Sequence, residues 1–103
     1  MKTEIKWTEP GKTTVKVGTL NVAFHIGLAT NPGSKVVLSA GINEYEDGVK
    51  AFYFSTESGK PEQVFSYSYE SYAEARADFE AWAIDYQNVL MTEEKSRDEV
   101  LGA

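Results

Sequence analysis

The residues of this chain best suited to chemistry are carboxylates, and they are concentrated toward its C-terminal end. Residues 1–61 carry seven Lys and Arg against six Asp and Glu, whereas residues 62–103 carry three against ten. The formal net charge of −6 therefore arises in the last two-fifths of the chain. Carboxylates gathered on one element create a directed electric field, which attracts a basic partner and speeds the encounter with it.

Three of these carboxylates are spaced so that they share one flank of a predicted helix. Glu74, Asp78 and Asp85 project to the same side at about 100° per residue. Ala81 and Ile84 fall on the outer surface of the same helix, where Ile84 is an apolar residue among alanines. The pattern fits two interpretations. One is a solvated helix face, the commoner arrangement, and the other is a docking surface with an acidic rim and Ile84 as its anchor.

Catalytic and metal-binding chemistry has little support in the sequence. His25 is the only histidine, and no nucleophile stands in a recognisable arrangement with it. The chain has no cysteine, which excludes a disulfide framework, a thiolate nucleophile and a cysteine zinc site. We therefore expect no catalytic residue, no metal site and no cofactor. A small-molecule site around His25 and Tyr53 ranks below the binding functions.

Length and composition indicate one globular domain. The chain has 103 residues, of which 42% are hydrophobic, enough for a core of its own. We expect a single α+β domain over residues 1–91, followed by a charged C-terminal tail or short helix over residues 92–103. No segment resembles a signal peptide or a membrane span, so we expect a cytoplasmic protein that does not bind membranes. A pI near 4.7 argues against direct binding to nucleic acid.

Turn sequences divide the first 70 residues into five predicted strands. The turns lie at residues 9–12, 31–34, 46–48 and 58–61. The first two have Pro-Gly centres and indicate type II turns, and the third indicates a hairpin tip of the Asp-Gly kind. Alternating residues predict strands near 2–8, 13–28, 35–45, 49–56 and 63–69, with a bulge or bend at Gly18. Tight turns join antiparallel neighbours, so the predicted topology is a five-stranded meander.

The same alternation predicts which side chains share a face of the sheet. The apolar face, expected to lie under the helix, comprises Leu20, Val22, Phe24 and Ile26, then Val36, Leu38, Ala40 and Ile42, then Phe52 and Phe54, and finally Phe65, Tyr67 and Tyr69. The opposite face is expected to be open, small and polar, and to carry His25 and Tyr53. This is the pattern of an antiparallel sheet covered on one side.

A helix is predicted from Tyr72 to Leu90. Ser71 and Glu74 have the spacing of a capping box at its start. An apolar stripe at helical spacing comprises Tyr72, Ala75, Phe79, Trp82, Ala83, Tyr86 and Leu90, and the flank opposite the acids carries Arg76, Glu80 and Gln87. The predicted fold is therefore α+β: a five-stranded antiparallel β-meander sheet with one C-terminal amphipathic helix packed across one face.

Charge and size favour a small acidic binding protein that is not an enzyme. It would occupy a basic surface of a nucleic-acid-binding partner protein, by steric block and charge mimicry. A nuclease immunity protein, or a phage inhibitor of a restriction or CRISPR complex acting in the host cytoplasm, has this size and charge. The alternative is a structural protein, such as a virion or assembly component, that self-associates through its sheet. A monomer fits the first function and a stable oligomer the second.

Overall fold

The predicted α+β meander is confirmed by the elements of the structure. A computed structural model describes residues 2–8 and 21–101, with side chains for residues 2–8 and 23–92. The elements are β1 (Glu4–Trp7), β2 (Asn21–Thr30), β3 (Leu38–Tyr45), β4 (Gly48–Ser55), β5 (Glu62–Tyr69) and α1 (Tyr72–Leu101). The strands form one antiparallel sheet in the order β1-β2-β3-β4-β5, with α1 packed on one face. The predicted turn at residues 9–12, Leu20 and the bulge at Gly18 lie outside the described residues.

The turn at residues 31–34 forms, but it is not of the predicted type. The Ser34 N–H donates to the Asn31 carbonyl at 2.9 Å, and the Gly33 N–H donates to the Asn31 side chain at 2.8 Å. A type II turn needs a positive φ at Gly33. Among the described residues, positive φ occurs only at Gly48 and Gly59. The type II prediction is therefore wrong here, and the Asn31 side chain closes the turn instead.

The loop between β3 and β4 determines which side chains of β4 face the helix. Tyr45 pairs with Gly48, so the loop contains two residues, whereas the predicted strands left the three residues 46–48 between them. Because side chains alternate along a strand, a loop shorter by one residue turns the following strand over. Ile42 therefore lies opposite Ala51 rather than Phe52.

The predicted faces of β2 and β4 are wrong, because the register between β2 and β3 and that between β3 and β4 both differ from the predicted ones. The face under α1 carries His25, Gly27 and Ala29 from β2, Leu38, Ala40 and Ile42 from β3, and Val49, Ala51 and Tyr53 from β4. His25 and Tyr53 are 6% and 2% exposed, so neither lies on the open face. The bulky side chains Phe24, Ile26, Phe52 and Phe54 point to the open face, which is apolar rather than polar. The predictions for Leu38, Ala40 and Ile42 and for the β5 aromatic residues are confirmed.

Both the sheet and α1 supply large side chains to the core, since Leu38, Ile42 and Tyr53 of the sheet are almost completely buried under the helix. Ala29, Ala40 and Ala51 are almost completely buried there, and the small side chains let the helix approach closely. Phe79 fills the space above them and is fully buried. The predicted stripe of α1 is confirmed: Ala75, Phe79, Ala83 and Leu90 are buried, and Tyr72, Trp82 and Tyr86 are half-buried.

α1 begins as predicted and continues further than predicted. The Glu74 N–H donates to the Ser71 hydroxyl at 3.2 Å, while the Glu74 carboxylate accepts the Glu70 N–H at 3.4 Å, one residue before the expected capping-box donor. The helix runs without a break to Leu101 rather than ending at Leu90. The tail from residue 92 is thus largely a continuation of α1, in keeping with a sequence that contains no Gly or Pro between Pro61 and Gly102.

Gln87 fastens α1 to the end of the sheet. It lies on the predicted flank, opposite the acids, but it is fully buried, and its amide donates to the carbonyls of Ala29 at 3.2 Å and Val36 at 2.9 Å. Gln87 is buried because the connection from β2 to β3 reaches this side of the helix. Both backbone carbonyls would lack these donors without Gln87.

Trp7 joins the edge strand β1 to α1. Its indole Nε1 donates to Glu80 Oε1 at 3.1 Å, and Arg76 Nε donates to the same oxygen at 2.8 Å. The Arg76 guanidinium lies 5.1 Å from the centre of the Trp7 ring, a cation–π distance. The ring covers Gly27, where an added Cβ would lie 2.7 Å from it.

We expect Gly27→Ala to lower the free energy of unfolding by about 1–3 kcal/mol, because the new methyl group must displace the Trp7 ring. Gly41→Ala is the matched control, since its Cβ would make an ordinary 3.5 Å contact with Phe24. The control should be neutral or slightly stabilising, because alanine lowers the entropy of the unfolded chain. Urea denaturation measures both variants, and equal losses would contradict the packing of Trp7 on Gly27.

Phe79→Ala should cost about 3–5 kcal/mol, because it empties a fully buried site. Trp82→Ala should cost less than Phe79→Ala, since the Trp82 side chain is only half-buried. Val89→Ala, at a site that is 53% exposed, should change stability by no more than about 0.5 kcal/mol. Thermal melting of the three variants checks this order, and a larger loss at Trp82 than at Phe79 would contradict it.

Candidate functional site

The three predicted carboxylates lie together on the side of α1 that adjoins β5. Glu74, Asp78 and Asp85 are all exposed. Asp78 lines a groove with Tyr67 and Tyr69 of β5, which fixes the direction in which this flank points. The helical spacing of the other two acids places them on the same flank. The structure thus keeps the predicted acidic residues on one exposed surface.

Ile84 does not form one surface with these acids. It is 42% exposed, but with Asn88 it lines a hollow against Lys2 and Thr3, on the side of β1. Ala81 is exposed one helical turn from Asp78 and Asp85, so it borders the acids. The predicted apolar anchor and the acidic flank therefore face different directions.

Exposed aromatic rings of β5, rather than Ile84, lie beside the acids. Phe65 and Tyr67 are 41% and 45% exposed, and their rings stack 5.7 Å apart. Phe65 also contacts the ring of Trp82 edge-on at 5.8 Å. We call the surface formed by Glu74, Asp78, Asp85, Phe65, Tyr67, Tyr69 and Trp82 the acidic–aromatic flank. It combines exposed carboxylates with exposed ring faces.

A groove of about 300 Å³ runs between β5 and α1 within this flank. Its lining residues are Tyr53, Tyr67, Ser68, Tyr69, Asp78 and Trp82. The rings of Tyr53 and Trp82 stack 5.1 Å apart beside it. Four of the six lining residues are aromatic, and one is a carboxylate, so the groove offers π-faces next to a negative charge.

A chain of hydrogen bonds holds the Asp78 carboxylate at the groove. The Tyr53 and Tyr69 hydroxyls are 2.9 Å apart. Burial raises the pKa of Tyr53 most, and its bond to Tyr69 raises it further. Burial also raises the pKa of Tyr69, the bond from Tyr53 lowers it, and Asp78 raises it through both charge and hydrogen bonding. An ionised carboxylate can only accept, so Tyr69 donates its one proton to Asp78, which leaves Tyr53 as the donor to Tyr69.

The geometry suits recognition of a cation. Both tyrosines keep their protons near neutral pH, because each pKa is raised above its ordinary value of 10.0. They therefore orient Asp78 rather than exchange protons with a substrate. A carboxylate beside aromatic faces attracts a guanidinium or ammonium group, through an ion pair and a cation–π contact.

The aromatic half of this flank was not predicted from the sequence. Tyr67 and Tyr69 were expected to pack between the sheet and the helix, which is correct for Tyr69, whereas the Tyr67 side chain is largely exposed. The available signal was the period-two run Phe65, Tyr67, Tyr69 on the last strand of the meander. A last strand is an edge, so its side chains receive cover from one neighbour only.

His25 belongs to a separate cluster at the β3–β4 hairpin end of the sheet. Its ring stacks on Tyr72 at 3.8 Å, and its Nε2 lies 3.0 Å from Glu44 Oε2. A hollow beside this pair is lined by Glu44, Glu46, Asp47 and Glu70, among other residues. Within the part of the chain that the structure describes, no three His, Asp or Glu side chains are grouped closely enough to hold a metal ion. The buried, stacked His25 has the surroundings of a structural residue.

The tyrosine chain predicts a loss of stability at alkaline pH. Below pH 10.0 the folded and unfolded chains both keep these protons. Above it the unfolded chain releases them while the folded chain holds them, so the free energy of unfolding falls as pH rises. The double variant Tyr53→Phe/Tyr69→Phe should show a smaller fall than the wild type in denaturation experiments between about pH 8 and 11. Equal profiles for the wild type and the double variant would contradict the chain.

Comparisons with protein-family models, with curated proteins and with solved structures found no match. Along the described part of α1, no stretch is long and apolar enough to cross a membrane. The chemistry of the site therefore rests on its own residues, and these favour binding of a positively charged group.

Proposed function

We propose that the protein is a non-enzymatic binding protein whose acidic–aromatic flank docks on a basic surface of a nucleic-acid-binding protein. The observation that carries the proposal is that the exposed carboxylates and exposed aromatic rings lie on the same side of the molecule. Carboxylates without aromatic neighbours serve solubility on many protein surfaces, whereas exposed rings beside them are typical of interfaces. The proposed action is inhibition of the partner by occupying its basic channel.

An arginine of the partner is the preferred occupant of the groove. Its guanidinium plane stacks on an aromatic face, and its N–H groups form paired hydrogen bonds with a carboxylate. Tyr67 and Trp82 supply the ring faces, and Asp78 supplies a carboxylate already oriented by Tyr69. A preoriented group loses little conformational entropy when the arginine binds, which favours affinity.

Glu74 and Asp85 extend the negative field along the helix. They are separated by eleven residues, which corresponds to about 16 Å along the axis. Phosphates of one DNA strand recur about every 3.4 Å along the duplex axis, so three carboxylates imitate only part of the charge of a nucleic acid. The field accelerates and orients the encounter, while the aromatic groove supplies short-range affinity.

A protein bound in this position sterically blocks the basic channel of its partner. The partner classes that fit are nucleases and restriction or CRISPR complexes, since each presents a basic channel to DNA or RNA. The proposal includes action in the cytoplasm, which is the host cytoplasm if the protein is encoded by a phage. No cofactor and no direct contact with nucleic acid is needed for this mechanism.

The test compares two variants that lose the same number of charges. Glu74→Gln/Asp78→Asn/Asp85→Asn neutralises the flank while keeping side-chain hydrogen bonding. Glu46→Gln/Asp47→Asn/Glu62→Gln neutralises three exposed acids elsewhere. Tagged proteins are incubated with nuclease-treated lysate, and bound proteins are identified by mass spectrometry at low and moderate salt. We expect wild type and the control triple variant to capture a nucleic-acid-binding protein, and the flank variant to lose it.

Competition then distinguishes occlusion from simple association. Added DNA or RNA should release the captured protein, and moderate salt should weaken capture, because both act on the same charged contacts. Equal capture by the two triple variants would contradict the role of the flank. Capture that nucleic acid leaves unchanged would contradict occlusion.

A further inference from the structure

The open face of the sheet carries bulky apolar side chains that nothing in the described structure covers. Phe24, Ile26 and Leu28 form one row along β2, and Phe52 and Phe54 form another along β4. Ile26 and Leu28 are 38% and 43% exposed. An apolar surface of this kind is unusual on an isolated domain and is typical of an interaction site.

Large and small side chains alternate from strand to strand across this face. The pairing defines three levels along the strands, which read from β2 to β5 as Phe24-Asn43-Lys50-Ser68, Ile26-Gly41-Phe52-Ser66 and Leu28-Ser39-Phe54-Gln63. Large residues therefore form ridges on β2 and β4, the latter ending in Lys50, and smaller ones form furrows on β3 and β5, apart from Gln63. The Phe24 ring lies 3.5 Å from a Cβ built at Gly41, an ordinary van der Waals contact, so this ring fills part of the furrow at that glycine.

We propose that this face is the interface between two copies of the protein. A two-fold axis along the strands, midway between β3 and β4, lays β4 over β3 of the other copy and β2 over its β5. Because such an axis preserves position along the strands, Phe54 meets Ser39 and Ile26 meets Ser66 of the second copy, while Phe52 packs on the Phe24 ring beside Gly41. Large side chains thus lie over small ones at the two serines, and ring lies on ring at the glycine, so the face can pair with itself as a two-fold interface requires.

The charged strand β1 stays outside this contact. Its open-face residues Glu4 and Lys6 are exposed and lie beyond the footprint of β2–β5. At the hairpin end, Lys50 meets Asn43 of the second copy, where an ammonium group can donate a hydrogen bond to the amide oxygen. The pairing therefore buries the apolar rows. Among the open-face residues of β2–β5, it brings like charges near each other only at the hairpin end, where the Lys50 side chains of the two copies lie on either side of the axis.

The size of the face sets the strength of the dimer. Four strands of about eight residues cover roughly 19 by 27 Å, or about 500 Å² for each copy. Two copies together bury about 1,000 Å², which is at the lower limit for a specific interface. A weak dimer with Kd in the micromolar range is the expected result, and apolar burial makes it insensitive to moderate salt.

The interface is independent of the proposed inhibitory function. α1 and its acidic–aromatic flank belong to the covered side of the sheet, so both flanks remain accessible when the open faces pair. A dimer then presents two flanks to its surroundings. The same pairing is the step by which a structural, self-associating protein would assemble.

Sedimentation velocity over a concentration series up to about 1 mM, far above the expected micromolar Kd, tests the proposal. We expect the mass to rise from 11.4 kDa toward twice that value. Ile26→Asp should shift the midpoint to at least tenfold higher concentration. Ile84→Asp is the matched control, because Ile84 is 42% exposed on the β1 side of α1, away from the open face of the sheet, and should leave the midpoint unchanged.

Ser66→Arg provides a second route if Ile26→Asp does not fold. Ser66 is exposed in the single copy, so arginine is tolerated there, yet in the dimer it meets Ile26 of the second copy and should disrupt pairing. A monomer at every concentration overturns the proposal. Equal weakening by Ile26→Asp and Ile84→Asp, or a dimer unaffected by Ser66→Arg, also overturns it.

Discussion

The close approach of α1 to the sheet is the constraint on which the rest of the structure depends. It is possible because the sheet under the helix is lined by Gly27, Ala29, Ala40 and Ala51, whose small side chains leave room for the ring of Phe79. Such a packed interior tolerates little change in volume. Side chains of both the helix and the sheet fill the core, and Gln87 and Trp7 join the two layers by hydrogen bonds.

This arrangement decides what remains at the surface. The register places His25, Gly27 and Ala29 of β2 and Val49, Ala51 and Tyr53 of β4 on the covered face. The alternate residues of these strands, including Phe24, Ile26, Phe52 and Phe54, therefore point to the open face. Since α1 lies centrally over the sheet, the rings of β5 extend past it and remain half exposed, beside the acids of the same helix flank. The packing of α1 on this face of the sheet therefore accounts for both the acidic–aromatic flank and the apolar open face.

The two surfaces differ in their physical character and in what they can bind. The flank combines oriented charge with π-faces, so its binding should depend on salt and select cationic groups. The open face has ridges and furrows but few charges, so its binding depends on shape and on apolar area. A protein with both can associate with itself and engage a second partner from opposite sides.

The sequence by itself determined the elements and their order. Turn residues, period-two alternation and the helical stripe specify five strands followed by one helix, and the spacing of Glu74, Asp78 and Asp85 specifies their shared flank. These are local properties, set within a few residues by backbone chemistry. The faces of β2 and β4 were decided only by the tertiary structure. A hairpin loop of two residues rather than three reverses every side chain of β4, and the pairing of His25 with Ile42 places the opposite set of alternate residues of β2 under the helix. The aromatic groove, the buried Gln87 and the position of Ile84 also required the assembled fold, since each depends on how far the sheet extends around the helix, a distance that no local pattern encodes.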